Sequence, residues 1–119
     1  MSINLSLNVN EMEKYLFNTY EDNIMNRAGI HYIFRFPNNY GASVVKSYGT
    51  MGYENDKWEL ACILFDHDED AIKASSDITT LSPEFYIVYP PSIFHGRYPL
   101  GNLTDENVYN LLKDIKNLK

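Results

Sequence analysis

Hydrophobic and polar positions alternate along several short stretches of the chain, and this pattern predicts strands. Residues 30–36 and 42–48 both carry the period of two typical of a strand, and the Pro- and Gly-containing stretch between them predicts a hairpin. Residues 58–66 are apolar on both faces, which predicts a central strand covered on both sides. Residues 85–89 predict a fourth strand that ends at Pro90.

Two further segments have the spacing of helices. Apolar side chains recur every fourth position along residues 10–28, with Asn10 and Glu13 in a capping-box pattern and Gly29 as a terminator. This pattern predicts an N-terminal helix. A C-terminal helix is predicted after Thr104, because acidic residues follow this N-cap, apolar residues continue at helical spacing and lysines lie near the end.

These elements predict the α+β class and one domain over residues 1–119. We expect an antiparallel sheet of about four strands, with the N-terminal and the C-terminal helix packed on it. The first eight residues are expected to form a lead-in or a short edge strand, residues 67–80 a loop or short helix, and residues 92–103 an irregular connection.

Composition and charge then exclude several classes of function. The 119 residues include 10 basic and 16 acidic side chains, a formal net charge of -6, which disfavours direct binding of nucleic acid. No apolar run approaches the ~20 residues of a membrane span. A lone cysteine and the absence of a signal-peptide pattern predict the cytoplasm and no internal disulfide.

The densest run of charge follows the third predicted strand. Its acidic side chains are Asp66, Asp68, Glu69 and Asp70. The alternation resembles the start of a calcium loop, but Ala71 stands where that loop needs glycine. We therefore predict no metal site, and interpret the run as a solvated loop or as a negative patch for a basic partner.

The sequence also lacks a recognisable catalytic arrangement. Cys62 lies inside an apolar strand, where a thiol behaves as a small buried hydrophobe. His31, His67 and His95 are far apart and have no metal-ligand spacing. We therefore expect a protein that is not an enzyme and has no cofactor, and an enzyme with a thiol or metal site is the lowest-ranked hypothesis.

Tyrosines near loops direct attention to protein binding. Most of the ten tyrosines suit core packing, whereas four lie in or beside loops: Tyr40, Tyr48, Tyr53 and Tyr98. Exposed tyrosines among acidic residues are typical of a protein-binding surface. The predicted partner site therefore combines the second loop with the acidic run: Tyr53, Glu54, Asp56, Asp66, Asp68, Glu69 and Asp70.

Several phrases of the sequence resemble those of a known family. They are FRFPNNYGASVV at 34–45, YG at 48–49, WELA at 58–61 and GNLT at 101–104. Over residues 30–118 the chain resembles small, largely uncharacterised proteins of phages and prophages in low-GC Gram-positive bacteria. The resemblance implies a phage or prophage origin and action inside the bacterial host, and it supplies no catalytic residues.

Together these observations predict a non-catalytic accessory factor that binds a protein. We expect it to inhibit a host or defence protein, as anti-CRISPR proteins do, with its acidic surface occupying a nucleic-acid site such as the basic groove of a nuclease. The alternative is a phage structural or assembly protein that acts by homo-oligomerisation, using apolar residues around the strand that begins at Trp58.

Overall fold

The computed structural model describes residues 3–65, 85–96 and 100–118 of the chain. It contains two 3-10 helices, Asn10–Tyr15 and Tyr53–Asn55, and a short helix α1, Pro91–Phe94. The longer helix α2 is Asp105–Lys116. The strands are β1 (Leu16–Ile24), β2 (Arg27–Arg35), β3 (Tyr40–Lys46), β4 (Trp58–Phe65), β5 (Phe85–Val88) and β6 (Leu100–Leu103).

The strands form one antiparallel sheet in the order β1-β2-β3-β4-β5, and β6 also pairs with β4. Val88 of β5 lies opposite Cys62, and Leu100 of β6 lies opposite Leu60. Since β3 occupies the other edge of β4, β5 and β6 follow one another along the same edge. In the sequence they are separated by residues 89–99, which include α1.

The larger hydrophobic core lies on one face of the sheet, which we call the helix face. Val108, Leu112 and Ile115 of α2 are fully buried and pack over β3 and β4. Residues 3–9 cross the same face, and their burial alternates so that Leu7 and Val9 point inward. On the opposite face a smaller cluster joins Ile33, Ile63 and Phe65, with Ile87 packed against it.

The prediction for α2 is confirmed at its start. Thr104 is the N-cap, and its hydroxyl accepts the Asn107 N–H at 3.1 Å. In return, the Thr104 N–H donates to Asn107 Oδ1 at 3.1 Å, which completes a capping box. Asp105, one residue on, accepts the Trp58 indole N–H at 2.7 Å and the Asn8 N–H at 3.1 Å. This carboxylate therefore ties α2 to β4 and to the N-terminal segment.

The prediction of an N-terminal helix over residues 10–28 is wrong. Only its first part is helical, as the 3-10 helix Asn10–Tyr15, and the remainder forms β1 and the start of β2. A spacing of four residues is even, so it is compatible with one face of a strand as well as with a helix. Asn18, Thr19 and Asn23 are poor helix formers, and this removes the local support that a helix would need.

Other parts of the fold class are confirmed. The class is α+β, the sheet is antiparallel, and the four predicted strands appear as β2 to β5. The sheet has six strands instead of about four, because β1 and β6 were missed. Residues 92–103, expected to be irregular, include most of α1 and all of β6. Among the described residues no helix has the length and apolar character needed to cross a membrane.

Candidate functional site

The hairpin of β1 and β2 is built on a two-residue turn. Ile24 pairs with Arg27, and the two residues between them, Met25 and Asn26, have φ angles of 53° and 63°. Such a turn needs positive φ at both positions, which asparagine tolerates well and methionine does not. Met25 is also 74% exposed, so an apolar side chain stands at the tip of the hairpin.

β1 is the edge strand of the described sheet, and all nine of its residues are exposed. Because Ile24 and Arg27 close a two-residue turn, alternate residues direct their backbone groups toward β2. The backbone groups of Thr19, Glu21 and Asn23 therefore point to the outer edge. No other strand in the described ranges pairs with this edge.

One outward N–H is already occupied by a side chain of the same strand. Asn18 Oδ1 accepts the Thr19 N–H at 2.8 Å, and Asn18 Nδ2 donates to the Tyr20 hydroxyl at 3.0 Å. The donors of Glu21 and Asn23 have no such side-chain partner among the described residues. The free part of the edge thus begins after Thr19.

Large apolar side chains accompany this edge on the face away from α2. Phe17, Tyr20 and Ile24 are each about 40% exposed. The Phe17 ring lies 5.1 Å from that of Phe65, centroid to centroid, and the Tyr20 ring lies 5.8 Å from that of His31. These contacts anchor one side of each ring and leave the other side accessible to a partner.

A cleft lies on the helix face, where β1 begins. It has a volume of about 440 Å³. Tyr32 and Phe34 of β2 form its floor, Leu16 of β1 forms one rim, and Glu13 is its one charged lining residue. The remaining wall is the N-terminal segment, through Ser6, Leu7 and Val9. The cleft is therefore largely apolar with a single carboxylate.

A polar group lies behind β1 on the other face. His31 Nε2 is 2.5 Å from Ser43 Oγ, and Ser47 Oγ donates to the Asp22 carboxylate at 2.7 Å. Burial lowers the pKa of His31 to about 4, and the nearby Asp22 carboxylate offsets part of this effect. The imidazole is therefore neutral at pH 7, and it is hydrogen-bonded to the serine hydroxyl.

The predicted partner residues of the second loop do not form one surface. Tyr53 was expected to be exposed, and this is wrong: it is buried, and its hydroxyl donates to the Ala28 carbonyl at 2.9 Å. Its ring meets that of Tyr48 edge to face. Glu54 is exposed and forms an ion pair with Arg27.

Asp56 has a structural role in addition to its exposure. It lies 2.7 Å from the Lys46 ammonium and also accepts the Asn4 N–H at 2.9 Å. Lys46 is 2% exposed, donates to the Asn4 carbonyl and lies over the Trp58 ring at 4.2 Å. Asp56 thus compensates a buried charge and fastens the N-terminal segment. The other predicted partner residues, Asp66, Asp68, Glu69 and Asp70, lie outside the described residues, as does Tyr98.

The residues considered for chemistry are placed as follows. Cys62 is fully buried, and burial raises its pKa to about 12. His31 lies in the polar group behind β1, whereas His95 is the C-cap of α1 and His67 is outside the described residues. In the part of the chain that the structure describes, no three His, Cys, Asp or Glu side chains are grouped so that they could hold a metal ion.

The site therefore differs from the one that the sequence predicts. The sequence signal for this hairpin is Asn26, a turn-forming residue between two strand-compatible segments, and it marks the turn but not the exposed edge. No family model, no curated protein and no solved structure matches this chain.

Proposed function

We propose that the chain is a non-catalytic protein-binding module that takes an extended segment of another protein onto the free edge of β1. The observation that carries this proposal is an edge strand of nine residues, every one of them exposed. Proteins usually protect such edges with short length, proline or lysine. β1 contains neither proline nor lysine, its irregularity lies at its start between Leu16 and Asn18, and its charged side chains are the carboxylates of Glu21 and Asp22, which a basic partner would attract.

The chemistry of the edge suits strand addition. An added strand forms backbone hydrogen bonds with Glu21 and Asn23, and its alternate side chains lie beside those of β1. Phe17, Tyr20 and Ile24 then lose water from their exposed sides, which supplies apolar burial. Backbone bonds give the mode of binding and the side chains give its selectivity.

The proposed partner is a host or defence protein with a basic surface, in keeping with the phage resemblance. A net charge of -6 supports this direction, because a negative field speeds encounter with a basic groove such as that of a nuclease. The ion pairs of Glu54 with Arg27 and of Asp56 with Lys46 reduce what those two acids contribute. In this proposal, Glu21 and Asp22 of β1 supply the negative charge at the binding surface instead of Glu54 and Asp56.

A second candidate is homo-oligomerisation, and the same edge favours it. In an antiparallel pair of β1 strands centred on Tyr20, Glu21 lies opposite Thr19 and Asp22 lies opposite Asn18, and Asn18 must release the Thr19 N–H for this pair to form. No two carboxylates then face each other directly. β4, which the sequence suggested for an oligomer interface, is buried along most of its length and offers little apolar surface.

The test uses two variants of one residue. In Glu21→Pro the outward N–H is lost and a ring blocks the edge, while the bonds to β2 remain. Glu21→Gln removes the charge and keeps the N–H. Peptides of twelve residues selected from a displayed random library on the wild type are expected to bind Glu21→Pro at least tenfold more weakly and Glu21→Gln nearly as well.

Two measurements complete the test. Sedimentation equilibrium of the wild type and Glu21→Pro separates the candidates, since an oligomer that the proline dissociates supports homo-oligomerisation instead of a foreign partner. If peptides selected on the wild type bind Glu21→Pro with unchanged affinity, strand addition at this edge is refuted. Circular dichroism of both variants confirms that the sheet has formed.

A further inference from the structure

The cleft beside β1 combines an apolar surface with one negative charge, and few types of side chain complement both. Its floor and rim are apolar and aromatic, from Tyr32, Phe34 and Leu16. Its one charged lining group is the carboxylate of Glu13. Lysine and arginine have matching parts, because each carries an aliphatic stem that packs on apolar surface and a cationic head that seeks an acceptor.

The charge around the cleft is available for such a ligand. Residues 10–24 contain four carboxylates and one lysine. Among the described residues, neither Glu13 nor Glu21 contacts a basic side chain. The nearest lysine in sequence, Lys14, lies over the Tyr15 ring at 5.2 Å. Arg27 and Lys46 are engaged by Glu54 and Asp56.

The position of the cleft relates it to the edge of β1. Leu16 is the first residue of β1 and lines the cleft, and Thr19 lies opposite the floor residue Tyr32. A strand added to β1 would lie about 4.8 Å further out. Every second side chain of that strand would face the helix face. A segment that continues past Thr19, where Asn18 occupies the outward N–H and the pairing register shifts, brings one of these side chains next to Leu16.

We infer that the cleft receives a lysine or arginine side chain of the added strand, with its stem on Leu16 and Tyr32 and its cationic head at Glu13. This inference rests on the proposed function and specifies the partner: an extended segment with one basic residue at a defined register. An arginine gains further from the aromatic floor, since a guanidinium stacks on aromatic rings.

The experiment repeats the peptide selection on variants of Glu13. On the wild type, one position of the aligned peptides should be enriched in lysine and arginine. On Glu13→Gln that enrichment should disappear, and on Glu13→Lys it should change to aspartate and glutamate. Glu106→Gln is the matched control, because it removes the same charge from an exposed residue of α2 and should leave the enrichment unchanged.

A binding measurement quantifies the effect. For one selected peptide, replacement of its basic residue by norleucine is expected to weaken binding to the wild type about tenfold and to leave binding to Glu13→Gln unchanged. Equal losses on both proteins would overturn the inference, as would enrichment of an apolar residue at the cleft position. In either case the loss of binding by Glu21→Pro still supports strand addition. If Glu21→Pro has no effect, the proposed function fails as well.

Discussion

β4 is buried along most of its length on both faces, whereas all nine residues of β1 are exposed. The two strands belong to the same sheet and are separated by two others. β4 is paired on one edge by β3 and on the other by β5 and β6, so it has no free edge. β4 therefore contributes most to stability, and β1 is the strand to which the proposed function assigns binding.

The side chains explain why β4 can have this role. Trp58 of β4 is fully buried, and its indole N–H is bonded to Asp105 of α2. Ile63 points to the other face and is also fully buried. One strand therefore contributes to both hydrophobic clusters, so we expect substitutions in β4 to destabilise the fold more than substitutions elsewhere in the sheet.

A matched pair of substitutions should give the largest difference. Ile63→Ala in β4 removes a fully buried side chain and is expected to lower the free energy of unfolding by about 3–4 kcal/mol. Ile24→Ala in β1 removes a side chain that is 41% exposed, and should cost less than about 1 kcal/mol. Urea unfolding followed by the fluorescence of Trp58 measures both values. Similar losses would show that β1 also belongs to the stabilising core.

The same comparison explains what could be predicted from the sequence. The pattern of β4 is decisive, because a run of eight residues, seven of them apolar and spread over both faces, suits a central strand and is too short for a typical helix. α2 was predictable for a similar reason, since Thr104 and the acidic first turn agree with the apolar spacing that follows.

β1 could not be identified in this way, because it has no buried face to impose a period of two. Tyr20 and Ile24 are four residues apart, and this spacing fits both a helix and a strand. The candidate site was missed for the same physical reason: exposure at an edge follows from which strands pair, a tertiary property. Tyr53 shows the reverse case, because it lies in a polar and largely exposed loop but is itself buried through its contacts with Tyr48 and Ala28.

A smaller effect should appear in the dependence of stability on pH. Burial lowers the pKa of His31 to about 4 from 6.5, so between these values the unfolded chain binds a proton that the folded chain does not. The free energy that neutral His31 contributes to stability is therefore fully present above pH 6.5, and it is lost as the pH falls toward 4. Allowing for partial exposure, we expect a loss of about 2 kcal/mol.

The comparison of His31→Gln with the wild type isolates this contribution. Urea unfolding of both proteins at several pH values between 4 and 7 should show a steeper decline for the wild type. NMR titration of His31 then reports on β1 itself, because the ring lies against Tyr20. A measured pKa near 6.5 would mean that β1 leaves the imidazole open to water, and that its packing is looser than the contacts indicate.

The smallest expected change concerns the one protected position of the edge. Asn18→Ala frees the outward N–H of Thr19 and removes the bond to the Tyr20 hydroxyl. Because these groups are exposed, the free energy of unfolding should change by less than about 0.5 kcal/mol. The length of free edge increases, however, so the selected peptides should bind more tightly, by about twofold to fivefold.

Asn18→Asp is the matched control, since a carboxylate can still accept the Thr19 N–H and should keep this donor occupied. If Asn18→Ala and Asn18→Asp bind the peptides equally, the asparagine does not limit access to the edge. A gain confined to Asn18→Ala would mean that β1 is unprotected by lysine or proline yet still partly closed by its own side chain. β4 needs no such device, because its neighbours in the sheet occupy both of its edges.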